Sequence, residues 1–348
     1  MYLGIEIGGT KLQLGVGAGD GSPLVQLLRF DVDPSQGAAG ILRRIEKGAQ
    51  ELLQRHPIAA IGCGFGGPVD VAEGRVVKSH HVAGWNGLEL ADWLQRLFGV
   101  PAAIANDADT AGLAEARFGA GFGASPVLYV TVGTGIGAGL IVDGQIYAGC
   151  GRGAAELGHL RPGLHADRPD ENLESLAAGW GIAAAAQSRL SGGAVSHRFS
   201  SLAPGLDRKV PDAVRQRLIE AEAAAEEFAA DLLTRCDGIV DQLTTRHVAQ
   251  AAEQGNGLAQ EILGHATQAL GWGLAQAITL FSPAVVVVGG GVSLIGEQWF
   301  FTPLKQEIAR YVFPPFAETF HLAPAQLGEE VVVHGALALA KQAAGGRS

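Results

Sequence analysis

Apolar residues alternate with small or polar ones from Tyr2 to Gly17, with the Gly8-Gly9 pair in the middle, which predicts strand, turn, strand. Ile41, Ile45, Leu52 and Leu53 recur at helical spacing and predict a helix over Ala38–Gln54. Ile58 to Phe65 predicts another strand, closed by the Gly66-Gly67-Pro68 turn signal. A short amphipathic helix over Leu88–Phe98 and a short strand over Ala102–Ala105 follow. A helix then opens at Asn106-Asp107-Ala108-Asp109 and runs to about Phe118. Val127–Val132 and Ala138–Val142 predict a second strand pair with glycines between them. Leu173–Leu190, Val214–Leu233 and Leu258–Leu280 read as helices, and Ser191–Asp207 as an exposed polar loop. Ala284–Val288 is nearly pure valine, which predicts a central strand buried on both faces.

The glycine-turned hairpin thus occurs twice, each time within alternating strands and helices. This predicts two related α/β units facing one another, with a ligand cleft between them. A chain of 348 residues has the length for two domains. The expected division is residues 1–110 with a final helix over about 335–348, and residues 111–334.

Composition sharpens the picture at one point. The 51 glycines are roughly twice what an average usage of about 7% supplies, which directs attention to the glycine clusters. A net charge of -10 without a basic run argues against a nucleic-acid partner, though backbone N–H groups can hold phosphate without a basic surface. Cys63, Cys150 and Cys236 are too far apart for a disulfide framework or a CxxC metal pair. Neither a signal peptide nor an apolar run of membrane-spanning length is visible, so a cytoplasmic protein without a membrane partner is expected.

Five segments carry candidate chemistry. Glu6-Ile7-Gly8-Gly9-Thr10-Lys11 leads into a strand, so it is neither a P-loop nor a dinucleotide fingerprint. It is either a simple tight turn or one whose N–H groups and Thr10 hydroxyl surround phosphate oxygens. Gly133-Thr134-Gly135-Ile136-Gly137-Ala138-Gly139 carries more glycine than one hairpin turn needs, and either backbone access for a polyphosphate or a glycine-rich bulge accounts for the excess. At Asn106-Asp107 the alternatives are a helix cap, supplied by Asn106, Asp107 or Asp109, and a carboxylate that accepts a proton from an attacking hydroxyl, held ionised by the helix N-terminus. Glu156-Leu157-Gly158-His159 and Glu174 offer acceptors for a polyol, or a surface glutamate and a packed histidine. Asp167, Asp170 and His165 are too loosely arranged for zinc. Gly289-Gly290-Gly291-Val292-Ser293 follows the valine strand, where open α/β sheets bind ligands.

In this order, together with Gly66-Gly67-Pro68-Val69-Asp70 and Trp85-Asn86, the segments resemble the ROK family of sugar kinases and sugar-responsive repressors over nearly the whole chain. The resemblance implies the two-domain ribonuclease-H-like, actin-like ATPase fold with Mg-ATP in the cleft. Gly8, Gly9, Thr10, Lys11, Gly133, Thr134 and Gly135 would hold the phosphates, and Gly289, Gly290 and Gly291 would flank the adenosine. Asp107 would be the catalytic base. Asn86, Asn106, Glu156, His159 and Glu174 would bind the sugar, with Gly67 on the sugar side of the cleft. The family pattern has Asp where this chain has Glu6, the carboxylate expected to hold magnesium through water. The CxCGxxGC zinc motif between His159 and Glu174 is absent, so no structural zinc is expected.

The resemblance therefore implies an ATP-dependent hexose kinase, glucose favoured, with fructose, mannose or N-acetylhexosamine kinases as alternatives. A catalytically weak sugar sensor is the other reading. A repressor is disfavoured because the chain starts directly on its first strand. A homodimer is expected by family analogy.

Overall fold

The computed structural model describes residues 1–79, 82–150, 153–163, 171–191 and 212–345. In chain order the first half runs β1 (Tyr2–Ile7), β2 (Lys11–Gly17), β3 (Gln26–Asp31), α1 (Gly37–Arg55), β4 (Ile61–Phe65), β5 (Val69–Asp70), β6 (Arg75–Val76), α2 (Leu90–Phe98), β7 (Ala102–Asn106) and α3 (Asp107–Phe118). It continues with β8 (Val127–Val132), β9 (Ile136–Val142), β10 (Gln145–Ile146), α4 (Leu173–Ala177), α5 (Gly179–Ser191), α6 (Asp212–Arg235), α7 (Thr245–Glu253) and α8 (Gly257–Phe281). Last come β11 (Val285–Gly289), α9 (Thr302–Tyr311), β12 (His321–Pro324) and α10 (Val331–Gly345).

Two five-stranded sheets repeat one topology. The first has the order β3-β2-β1-β4-β7 and the second β10-β9-β8-β11-β12. In each, three antiparallel strands form a meander, and two further parallel strands extend the sheet beyond its first strand. This is the duplicated, actin-like arrangement that the two glycine hairpins predict. The valine strand β11 lies between β8 and β12, and its Val286, Val287 and Val288 are fully buried.

Helices α3 and α10 pack against each other and against both halves. Gly4 of β1 lets α10 close in, since a Cβ there would stand 2.7 Å from the Val333 carbonyl. Gly335 of α10 in turn faces the Thr110 carbonyl of α3. Ala111, Leu113, Tyr129, Ile141, Val332 and Leu339 form the core that joins these helices to the second sheet. Glu115 is fully buried in α3 and accepts backbone N–H bonds from Ala120, Gln326 and Leu327, each at 2.8 Å. It thereby fixes the crossover that leads from β12 to α10.

The predicted helix over Leu173–Leu190 is in fact two, broken at Ala178, whose ψ is 165°. Tertiary contacts impose the break: Gly179 N–H donates to the Gly133 carbonyl at 2.8 Å, and the Thr245 hydroxyl bonds the Gly179 carbonyl. Strands β3 and β12 and helices α7 and α9 have no counterpart in the hydrophobic pattern. β3 is an edge strand without a buried residue, and β12 buries only Leu322 and Ala323. The loop expected up to Asp207 lies outside the described residues from 192 onward, as do His165, Asp167 and Asp170.

Candidate active site

The β1–β2 hairpin closes with the Gly8 N–H donating to the Lys11 carbonyl at 2.9 Å, leaving Thr10 exposed at the tip. Beneath it, Glu6 is buried, with Lys11 Nζ 3.1 Å from one carboxylate oxygen and Gln13 Nε2 donating to the other at 2.7 Å. Gln13 pairs across the strands with Glu6 and with Arg29, whose Nε donates to Gln13 Oε1 at 3.0 Å. Burial is the largest influence on the Glu6 carboxyl and raises its pKa, against the lowering by Lys11. A pocket of about 300 Å³ adjoins this row, lined by Lys11, Gln13, Arg29, Phe30, Asp31 and Glu329. Gln13 is a residue that the motif reading passed over; its place on the Glu6 face follows from strand alternation.

β7 delivers Asn106 and Asp107 to the same end of the sheet. Asn106 is the helix cap: its Oδ1 accepts from the N–H groups of Ala108 at 2.8 Å and Asp109 at 3.3 Å. Its Nδ2 donates to the Gly67 carbonyl at 3.1 Å. Asp107 is therefore released from capping. Its Oδ1 accepts from the Ala108 N–H at 2.9 Å, and its Oδ2 lies 3.4 Å from the Cβ position of Gly66, which itself is 3.5 Å from the Gly8 Cα. The expectation that the helix N-terminus holds the Asp107 pKa low is corrected here. Burial dominates and pushes it up to about 6, with the backbone bond from Ala108 opposing and the Glu6 and Glu156 charges adding to the rise.

In the second hairpin, the glycines divide by what requires them. A Cβ on Gly135 would stand 2.5 Å from Glu174 Oε2, which accepts the Ile136 N–H at 2.8 Å. Gly137 and Gly139 admit the first turn of α3, with Ala108 Cβ at 3.0 Å and Asp109 Cα at 2.8 Å from their respective Cβ positions. These two serve helix packing, not the phosphate access expected of the whole cluster. Gly133 differs: its φ is not positive and nothing lies within 4 Å of its Cβ position. The same holds for Gly291, whereas Gly290 has φ 88° and Gly289 lies against Tyr129 and Ala325. Val292 N–H donates to the Val132 carbonyl at 2.9 Å, which brings the 289–291 turn beside Gly133. Thr134 is exposed at the hairpin tip.

Glu156 and His159 are exposed on the short turn 157–159, where Gly158 lies against the Ile136 carbonyl of β9. Asn86 is exposed directly after Trp85, which is buried edge-on against Phe65 at 5.0 Å. Glu174 is half-buried, with one oxygen committed to the hairpin backbone. Among the described residues, no group of three or more His, Cys, Asp or Glu side chains is arranged to hold a metal ion. A carboxylate that sequence reasoning treated only as a possible cap, Asp109, is buried, and burial raises its pKa, with the Glu156 and Asp107 charges adding to the rise.

Comparison with known proteins decides the family. The profile of the ROK family matches residues 2–343. The chain belongs to the ROK family. The glucokinase of Thermotoga maritima is 28% identical over 99% of this chain and 98% of its own length. The glucokinase of Streptomyces coelicolor is 29% identical, over 98% of each chain. Among solved structures, a ROK family glucokinase from Streptomyces griseus, in complex with glucose and AMPPNP, superposes with a TM-score of 0.76 at 29% identity, covering 98% of this chain and 99% of that one. This ROK protein thus shares the actin-like fold of those sugar kinases along its whole described length. No helix among its described residues is long and apolar enough to cross a membrane.

Proposed function

We propose that this ROK protein is an ATP-dependent hexose kinase that takes glucose first, with Asp107 as the base. One observation carries this: Asp107 is a half-buried carboxylate not needed as a cap, beside Gly66 and the first glycine turn. A carboxylate so placed accepts the proton of a sugar hydroxyl as it attacks the γ-phosphoryl group. Because that transfer has a loose transition state, orienting the hydroxyl is the larger part of its work.

The other roles follow from position. Asn86, Asn106, Glu156, His159 and Glu174 offer hydrogen-bond partners for sugar hydroxyls, with Gly67 beside Asn106. Gly9, Thr10, Lys11, Thr134 and Gly135 offer N–H, hydroxyl and ammonium groups for phosphates, and Gly8, whose own N–H closes the first hairpin, shapes that turn. Gly133 and Gly291, where neither φ nor packing excludes a side chain, leave room for a nucleotide to lie against the backbone; Gly289 and Gly290 shape that turn. Magnesium takes oxygen ligands, and Glu6 would hold it through water in addition to the Lys11 and Gln13 contacts its carboxylate already makes. When bound it would offset phosphate charge.

By analogy within the family we also propose a cytoplasmic homodimer without a nucleic-acid partner, with residues 1–110 and about 335–348 as one domain and 111–334 as the other. A weak sugar sensor is the second reading, favoured by the engagement of both Glu6 oxygens by Lys11 and Gln13. An ADP-release assay with Mg-ATP against a panel of hexoses and N-acetylhexosamines tests both. Turnover with glucose above the other sugars is expected. Sugar binding without turnover would instead establish the sensor.

A further inference from the structure

Gln13 has no role in the chemistry above, yet it is only 1% exposed beneath the first hairpin. Strand pairing sets it between Glu6 on β1 and Arg29 on β3, so the three side chains share one face of the sheet. A guanidinium can only donate, so Arg29 Nε, 3.0 Å from Gln13 Oε1, fixes which way the amide points. The Nε2 hydrogens then meet two acceptors, Glu6 Oε2 at 2.7 Å and the Glu329 carbonyl at 3.2 Å. With the amide reversed, its oxygen would lie against a carboxylate and its N–H groups against a guanidinium. Arg29 is held in turn by Glu330, whose Oε1 is 2.8 Å from its Nη2. A chain of bonds therefore runs from Glu330, just before α10, through Arg29 and Gln13 to Glu6.

Glu6 has a second partner, and the two differ in freedom. Lys11 Nζ stands 3.1 Å from Oε1, but the Lys11 side chain is 44% exposed, and its ammonium is among the groups offered to phosphate. Gln13 is enclosed and uncharged, so it cannot follow a phosphate outward, and it holds the carboxylate without neutralising it. A carboxylate oxygen accepts about two bonds, so one from each partner leaves lone pairs on both oxygens. We propose that Gln13 is a positioning residue for magnesium binding: it keeps Glu6 in place when Lys11 turns to the nucleotide phosphates, and Arg29 holds its amide in the required sense. A glutamate side chain is long and rich in rotamers, and the bond from Gln13 removes that freedom. The inference rests on the kinase reading and on the role given there to Glu6.

The test is AMPPNP binding by calorimetry, without sugar, once with excess magnesium and once with the metal chelated. Wild type is expected to prefer the magnesium form. Gln13→Met keeps the bulk of the side chain and loses its donors. It should bind the magnesium form about tenfold more weakly, and metal-free nucleotide within about twofold of wild type. Arg29→Met should lose about threefold in the same direction, since the amide stays but is free to turn. Glucose affinity, measured separately, should not move in either variant. A fall shared by both nucleotide forms and by glucose would make the amide merely structural and would overturn the proposal. So would a magnesium preference kept at its wild-type value in Gln13→Met, or in Arg29→Met if Gln13→Met does not fold. In those cases wild-type nucleotide binding leaves the kinase reading standing. A wild type that binds no nucleotide would sink that reading and this inference together.

Discussion

Asn106 and Asp107 stand side by side where β7 becomes α3, and Asn106 alone caps the helix. Its oxygen accepts the Ala108 and Asp109 N–H groups, and its amide holds the Gly67 carbonyl at 3.1 Å. The cap, the sugar-side turn and the acid that follows are thus set by one side chain. Asn106→Ala is expected to lower stability by about 1–2 kcal/mol, from the lost cap and the released Gly67 carbonyl. Urea denaturation at neutral pH measures this, and a raised sugar KM should accompany it.

Asp107→Asn separates a base from a cap. Turnover should fall by about 10²–10⁴-fold, the usual contribution of a positioned general base, while sugar binding measured by calorimetry remains. Stability should move the other way. Burial raises the folded-state pKa from 3.8 to about 6, so the unfolded chain gives up this proton first. The resulting loss of stability accumulates between about pH 4 and pH 6 and is complete above that. Removing the charge at neutral pH should therefore stabilise the protein, by at most about 3 kcal/mol. A destabilised Asp107→Asn would mean that the carboxylate serves the helix.

The same titration shapes catalysis. Asp107 must be ionised to accept a proton, so kcat should rise with pH through about 6 and level off above it. The measurement is a kcat profile at saturating sugar and Mg-ATP. Since Glu6 contributes to the raised Asp107 pKa, Glu6→Gln should move the inflection to lower pH, whatever it does to the plateau.

Strand and helix periodicity made the repeated hairpins legible, and with them the paired α/β units; local composition also marked Asn106-Asp107 as a helix start. What stayed hidden depended on distant partners. Nothing near Ala178 in the sequence indicates that the Gly133 carbonyl and Thr245 will break the helix there. Asp107 has a helix N-terminus that should lower its pKa, yet burial by the surrounding chain outweighs it. The glycines of 133–139 look alike in sequence, and only the packing of α3 on β9 and the position of Glu174 separate structural ones from accessible ones. Asp109 read as a possible cap because its burial comes from the packing of β9, which is remote in sequence.

That separation of glycines gives a paired prediction. Gly133 has open space at its Cβ position and no positive φ, so Gly133→Ala should fold with stability within about 0.5 kcal/mol of wild type. If a nucleotide lies against that backbone, the added methyl meets it, and the ATP KM should rise about tenfold or more while sugar binding is unchanged. Gly135→Ala should behave differently. Its Cβ would stand 2.5 Å from the Glu174 oxygen that bonds the Ile136 N–H, so the carboxylate must move. A stability loss of about 1–3 kcal/mol and weaker sugar binding are expected together. Urea denaturation with separate ATP and sugar titrations distinguishes the two variants. An unchanged ATP KM in Gly133→Ala would remove the nucleotide from this turn, and a fully stable Gly135→Ala would mean that Glu174 is free to reorient.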